Sequence, residues 1–237
     1  NARRAARDEA AASLAAEGIA TRPCGGVSFA LEVTENAQKL KASRAYLDGL
    51  VELQDLSPQA AVEALPLRPG MRVLDYCAGG GGKALAIAGG GVARVSAHDA
   101  DPRRMADLPA RAARAGARIE TASTAALAGR RFDLVVADVP CSGTGTWRRT
   151  PDAKWRLTEA RLDGLCRVQA EILDRAGAQV APGGHLAYMT CSLLGAENRA
   201  QVDAFLARTP GWRLVADRVY SPLSGGDGFY SALLTRG

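Results

Sequence analysis

Four consecutive glycines, Gly79 to Gly82, stand between a short apolar run, Met71 to Tyr76, and a helix-compatible stretch, Ala84 to Ala88. Few folds have a use for such a run. Glycines turn the chain tightly and let a ligand approach the backbone, while an adjoining helix start offers unpaired N–H groups. Strand, glycine loop and helix in this order predict a nucleotide or nucleoside cradle at the carboxyl edge of a parallel sheet. The loop is not a phosphate-binding P-loop, because Ala84 follows Lys83, and it lacks a GxGxxG dinucleotide context.

The rest of the chain repeats the theme. Apolar runs at Val92 to Ala97, Phe132 to Ala137 and His185 to Met189 are separated by helical patterns at Arg103 to Ala115, Thr158 to Val180 and Glu197 to Ala207. This alternation predicts an α/β protein with a Rossmann-like, doubly wound, mainly parallel sheet and ligands beyond the strand ends. Before it, an Ala-rich helix runs from Arg3 to about Glu17 and stops at Gly18, and Val27 to Val33 alternates like a strand. Residues 1–57 are therefore expected to form a small α+β accessory element. Residues 58–237 form the main domain, opening on a helix from Gln59 to Ala64 that ends at the Pro66, Pro69, Gly70 turn.

Composition narrows the classes further. With 237 residues, 47% of them hydrophobic, the chain can bury one substantial core. No apolar run approaches the ~20 residues of a membrane helix. The basic start at Arg3, Arg4 and Arg7 leads into alanines and acids, unlike a signal-peptide core, so a cytoplasmic setting without membrane is expected. The net charge of +5 is compatible with a polyanionic partner but selects none. The five cysteines are odd in number and form no CxxC pair, so no metal site is expected and reduced thiols are the default.

Chemistry-bearing residues gather at the predicted strand ends. The second strand ends in His98-Asp99, about twenty residues past the loop, where an acid accepts hydrogen bonds from ribose hydroxyls. Asp101 competes for that role, but its place before Pro102 reads as a helix start. The third strand ends in Asp138-Val139-Pro140-Cys141-Ser142-Gly143 and the fourth in Thr190-Cys191-Ser192. A free cysteine is ordinarily a small buried hydrophobe; two at neighbouring strand ends beside Asp138 point to chemistry. His98 and His185 read as structural. Trp147, Arg148, Arg149, Lys154 and Trp155 combine cations with aromatic rings, as phosphate contact and base stacking require. The plainer reading is a surface loop with one core tryptophan.

LDYCAGGGGK, ADVPCSGTGTWRRTPDAKW, YMTCSLLGAENRAQV and the late GGDGF together resemble the bacterial Sun (RsmB) family of S-adenosylmethionine-dependent RNA cytosine-5 methyltransferases. The matches run in order from about Val51-Glu52-Leu53-Gln54-Asp55 to Phe229, about three quarters of the chain. The resemblance implies Cys191 as the nucleophile, Cys141 as the thiol that assists release of methylated RNA, and Asp138 as the acid on the cytosine ring. It implies S-adenosyl-L-methionine held by Cys77, Ala78, Gly79, Gly80, Gly81, Gly82, Lys83, Asp99 and Asp138. Where relatives place a further acid near the adenine, this chain offers Ser123, and relatives commonly have Ala-Pro-Gly-Gly in place of the four glycines. The implied partner is RNA, ribosomal RNA ahead of transfer RNA, contacted by Trp147, Arg148, Arg149 and Lys154, with no obligate protein partner. The implied chemistry is addition of a thiolate to carbon 6, methylation at carbon 5, and removal of the carbon-5 proton by water or Cys141. An inactive RNA-binding relative, a methyltransferase acting on another substrate such as a small molecule or DNA cytosine (the latter through the PC-motif cysteine), and a dinucleotide oxidoreductase are the alternatives.

Overall fold

The computed structural model describes residues 1–91 and 93–237; Val92, the expected first residue of the second main-domain strand, lies outside the described residues. At the start come α1 (Arg7–Ala16), β1 (Thr21–Pro23), β2 (Leu31–Val33) and the short α2 (Arg44–Leu47). Leu14, Ile19, Leu40 and Ala45 give this element a small core of its own. The main run follows with α3 (Leu56–Glu63), β3 (Arg72–Asp75), α4 (Gly82–Gly89), β4 (Arg94–Ala97), α5 (Leu108–Ala115), β5 (Ile119–Thr121) and β6 (Phe132–Asp138). It continues with α6 (Ala153–Arg156), α7 (Glu159–Ala178), β7 (Val180–Thr190), α8 (Arg199–Arg208), β8 (Trp212–Tyr220) and β9 (Phe229–Arg236).

Among the described residues, seven strands form one sheet in the order β5-β4-β3-β6-β7-β9-β8. The first five are mutually parallel, and β9 runs antiparallel between β7 and β8. The fold is α/β and Rossmann-like, as the alternation predicts. Strand order reverses at β3, flanked by β4 and β6, which opens a crevice at the carboxyl ends of β3 and β6. The inner strands read as unbroken apolar runs because both faces are covered. Val73, Val136 and Met189 pack on one side with Ile87 of α4 and Leu108 of α5. Leu74, Val135 and Tyr188 pack on the other with Leu173 of α7 and Phe205 of α8.

Several expected boundaries move, each for a local reason. The first helix begins at Arg7, not Arg3, where the Glu9 carboxylate accepts the Ala6 N–H at 2.9 Å and fixes the start. The Val27–Val33 strand shrinks to Leu31–Val33, because the Ala30 N–H turns back to the Val27 carbonyl. The helix expected over Arg103–Ala115 is interrupted: Pro102–Met105 is a 3-10 turn, and α5 starts at Leu108 with Pro109 in its first turn, where a missing N–H does no harm.

Candidate active site

The glycine loop is held from below by two carboxylates. Asp75, at the end of β3, accepts the Ala84 N–H at 3.0 Å and so anchors the start of α4. Its other oxygen, buried, has no partner among the described residues. Burial pushes this carboxyl up to about 7, against the pull of the nearby Lys83 ammonium. Asp99, also buried, accepts the Gly79 N–H at 2.9 Å and the Asp101 N–H at 3.0 Å, with the Arg104 guanidinium 3.1 Å away. Asp101 caps the Pro102–Met105 turn through the Arg103 N–H. Of the two acids, Asp99 therefore faces the loop. Gly81 sits at φ +79°, and a Cβ there would lie 2.3 Å from Leu108 Cδ1, so only glycine lets the loop pack against α5. Ser123, exposed beyond β5, accepts the Ala126 N–H. Burial pushes the Cys77 thiol up to about 12, leaving it protonated.

The two remaining strand ends deliver the thiols. Cys141 Sγ and Cys191 Sγ lie 3.3 Å apart. Donation of the Cys141 S–H lowers the Cys191 thiol below its ordinary value, with burial and Asp138 opposing and Lys83 assisting. Cys141 moves the opposite way, raised by the same bond and by burial. Lys83 forms an ion pair with Asp138, and its Nζ stands 5.3 Å from the centre of the Phe229 ring. Burial works against the Lys83 charge, but Asp138 outweighs it and the ammonium is stabilised. Glycine loop, Asp138 and both thiols thus meet at one edge. His98 is buried away from this chemistry, with Nδ1 donating to the Tyr76 carbonyl at 2.8 Å and Nε2 on the Thr124 hydroxyl at 2.9 Å.

Three acids that sequence reasoning passed over complete the site. Asp75 is one. Glu197, with no solvent exposure, accepts from the Ser142 N–H at 2.8 Å, from Gln169 Nε2 at 2.9 Å, and from the hydroxyls of Ser142 and Ser192. Asp227 is 3% exposed and forms ion pairs with Arg148 and Arg149. Only Asp75 left a readable signal, an acid inside an apolar run just before the glycines.

The cation-aromatic loop is arranged differently from its sequence reading. Arg148 and Arg149 are tied to Asp227 of the late GGDGF segment, though both side chains keep more than half their exposure. Trp147 is half-buried, with its indole N–H enclosed. The exposed indole is Trp155, 80% accessible, with the exposed Lys154 ammonium 4.8 Å from its ring centre. The GGDGF segment also presses on the thiol loop: the Gly228 N–H donates to the Gly145 carbonyl at 2.9 Å, and the Gly145 N–H donates to the Cys191 carbonyl at 3.0 Å.

Residues 62–234 match the family model described as 16S rRNA methyltransferase RsmB/F. The chain belongs to this family. Among RsmB/F relatives, the ribosomal RNA small subunit methyltransferase B of Klebsiella pneumoniae is 36% identical over 206 residues, covering 81% of this chain and 48% of that protein. Its counterpart in Vibrio cholerae is 36% identical over 244 residues, covering 97% of this chain and 56% of the relative. The chain thus spans about half the length of the curated relatives it matches. The crystal structure of the protein PH0851 superposes with a TM-score of 0.88 at 27% identity, covering 96% of this chain and 56% of that one. Among the described residues no helix is long and apolar enough to cross a membrane.

Proposed function

We propose that this chain carries the catalytic part of an RNA methyltransferase that transfers a methyl group from S-adenosyl-L-methionine to carbon 5 of a cytosine, through a covalent bond to Cys191. The observation that carries the reading is the thiol pair, 3.3 Å apart, with Cys191 shifted towards thiolate and Cys141 away from it. A dinucleotide oxidoreductase is disfavoured by the glycine loop, which lacks the GxGxxG context, and by the family match over residues 62–234. Ribosomal RNA is the substrate class we favour, because relatives bear that name, and it implies a cytoplasmic setting. Residues 1–57 then serve as an accessory element beside the catalytic domain, 58–237.

The residues present suit the methyl donor. Asp99 offers a buried carboxylate to ribose hydroxyls, the Cys77–Lys83 loop brings bare backbone to the ligand, and the unpartnered Asp75 oxygen is an acceptor for a cationic amino group. Ser123 is the remaining candidate beside the adenine. When bound, the cofactor supplies an electrophilic methyl group.

The chain's own residues do the rest. The Cys191 thiolate adds to cytosine carbon 6, forming a carbon–sulfur bond and pushing the ring electrons towards carbon 5 and the ring nitrogen. The Asp138–Lys83 ion pair is suited to meet that negative charge, with the Lys83 ammonium as the donor. After methylation the carbon-5 proton leaves, the carbon–sulfur bond breaks and the thiolate is restored. Cys141 is held protonated and so is unavailable as a base, which favours water for that proton, and its S–H stays in place beside the departing sulfur. Trp155 and Lys154 provide the exposed stacking and phosphate-binding surface; Arg148 and Arg149 contribute what their pairing with Asp227 leaves free.

The test is transfer of labelled methyl from S-adenosylmethionine to RNA from cells lacking this protein. Label at cytosine carbon 5 is expected, abolished by Cys191→Ala, with a stable RNA–protein adduct accumulating in Cys141→Ala. Transfer that survives Cys191→Ala and dies with Cys141→Ala would reverse the thiol assignment. No transfer at all would sink the reading.

A further inference from the structure

Glu197 is a fully buried carboxylate with no Lys, Arg or His ion-pair partner among the described residues. A buried charge in that position is costly unless hydrogen bonds replace its water. Here four donors do so, and their origin is informative. One oxygen accepts the Ser142 N–H and the Gln169 amide; the other accepts the hydroxyls of Ser142 and Ser192. Ser142 directly follows Cys141, and Ser192 directly follows Cys191. The same carboxylate thus holds the residue next to each thiol, on loops leaving different strands. Its backbone is fixed in turn, since its carbonyl accepts the buried Tyr188 hydroxyl at 2.6 Å.

We propose that Glu197 is a positioning residue that clamps the Cys141 and Cys191 loops together, and that the short approach of the two thiols depends on it. This rests on the proposed function for its catalytic meaning, but the clamp itself is a property of the thiols. Neutral donors would hold a neutral acceptor less firmly: hydrogen bonds to an ionised group are about twice as strong as neutral ones. The negative charge of Glu197 also adds to the forces that keep Cys141 protonated, and so keep its S–H available to Cys191.

Closure of the Cys141–Cys191 pair by diamide reads the clamp directly. In that reaction each thiol gives up a proton and an electron, a sulfur–sulfur bond forms, and diamide is reduced to its hydrazine. Peptide mass spectrometry separates this product from oxidation at Cys24, Cys77 and Cys166. In the 237-residue chain, Glu197→Gln should close at least tenfold more slowly than wild type, and alkylation of Cys191 should need a higher pH. Cofactor binding by calorimetry should be unchanged, and kcat should fall at least tenfold with KM for RNA within threefold. Should Glu197→Gln fail to fold, Ser142→Ala and Ser192→Ala, which leave the carboxylate in place, should each slow closure three- to fivefold. Wild-type closure rates and alkylation profiles in the folded variants would overturn the clamp. A wild-type chain that transfers no methyl, while its variants show slowed closure, would sink the functional reading and leave the clamp standing.

Discussion

Asp75 binds the Ala84 N–H with one oxygen and leaves the other enclosed and unpartnered. Its ordinary value of 3.8 rises to about 7 on burial. A carboxyl raised in the folded state contributes stability that is fully present below the unfolded value and lost as pH rises through the folded one. The cofactor-free chain should therefore lose stability between about pH 4 and pH 7 relative to Asp75→Asn, which keeps an acceptor for Ala84 and has no charge to bury. The expected difference is on the order of 4 kcal/mol at its limit, read as the gap between the two Tm-against-pH curves. Parallel curves would mean that Asp75 stays ionised at little cost. Cys141 offers a second check at this scale. Removing its S–H in Cys141→Ala takes away the main influence lowering the Cys191 thiol, so the pH at which Cys191 is half alkylated should rise. Residues such as Cys141, Cys191 and Asp99 were legible because each stands within a few residues of the end of an apolar run, where a polar or reactive side chain is conspicuous. Glu197 and Asp227 were not, because their meaning lies in partners 55 residues (Ser142) and 79 residues (Arg148) away in sequence.

Elements were readable where an unbroken apolar run marks them. β3, β6 and the apolar end of β7 stand inside the sheet, covered on both faces, and their continuous apolar runs announce them. β8 was not recognised, since its exposed arginines and aspartate disguise it, and β9 carries Ser231 and Thr235 among its apolar residues. β5 is three residues long, too short for any period to show. At α5 the helical period was real, but Pro109 set the start that the period alone could not. The glycine loop gives the sharpest element-scale prediction. Gly81→Ala would force an L residue to φ +79° with its Cβ 2.3 Å from Leu108 Cδ1. Displacement of α4 against α5 should weaken S-adenosylmethionine binding at least tenfold by calorimetry, whereas Gly129→Ala, also at positive φ but in open space, should leave it unchanged.

At the scale of the molecule, the surface proposed for RNA contact lies on α6 and the loop proposed for the cofactor lies between β3 and α4. Trp155 is 80% accessible, on the short α6, so Trp155→Ala should weaken RNA binding about tenfold, as a lost base stack of ~1–3 kcal/mol implies, while Tm and cofactor affinity hold. Equal RNA affinity in a fluorescence titration would remove Trp155 from the interface. The sheet order carries a consequence of another kind. β9 is synthesised after both β7 and β8, yet it lies between them. Until the ribosome has made it, β7 has a bare apolar edge and β8 has no neighbour, and the GGDGF segment that braces the thiol loop does not yet exist. A nascent chain of this protein therefore carries an unpaired β7 edge before its thiol loop is braced, and a chaperone that shields strand edges should matter most during the interval between translation of Thr190 and Arg236.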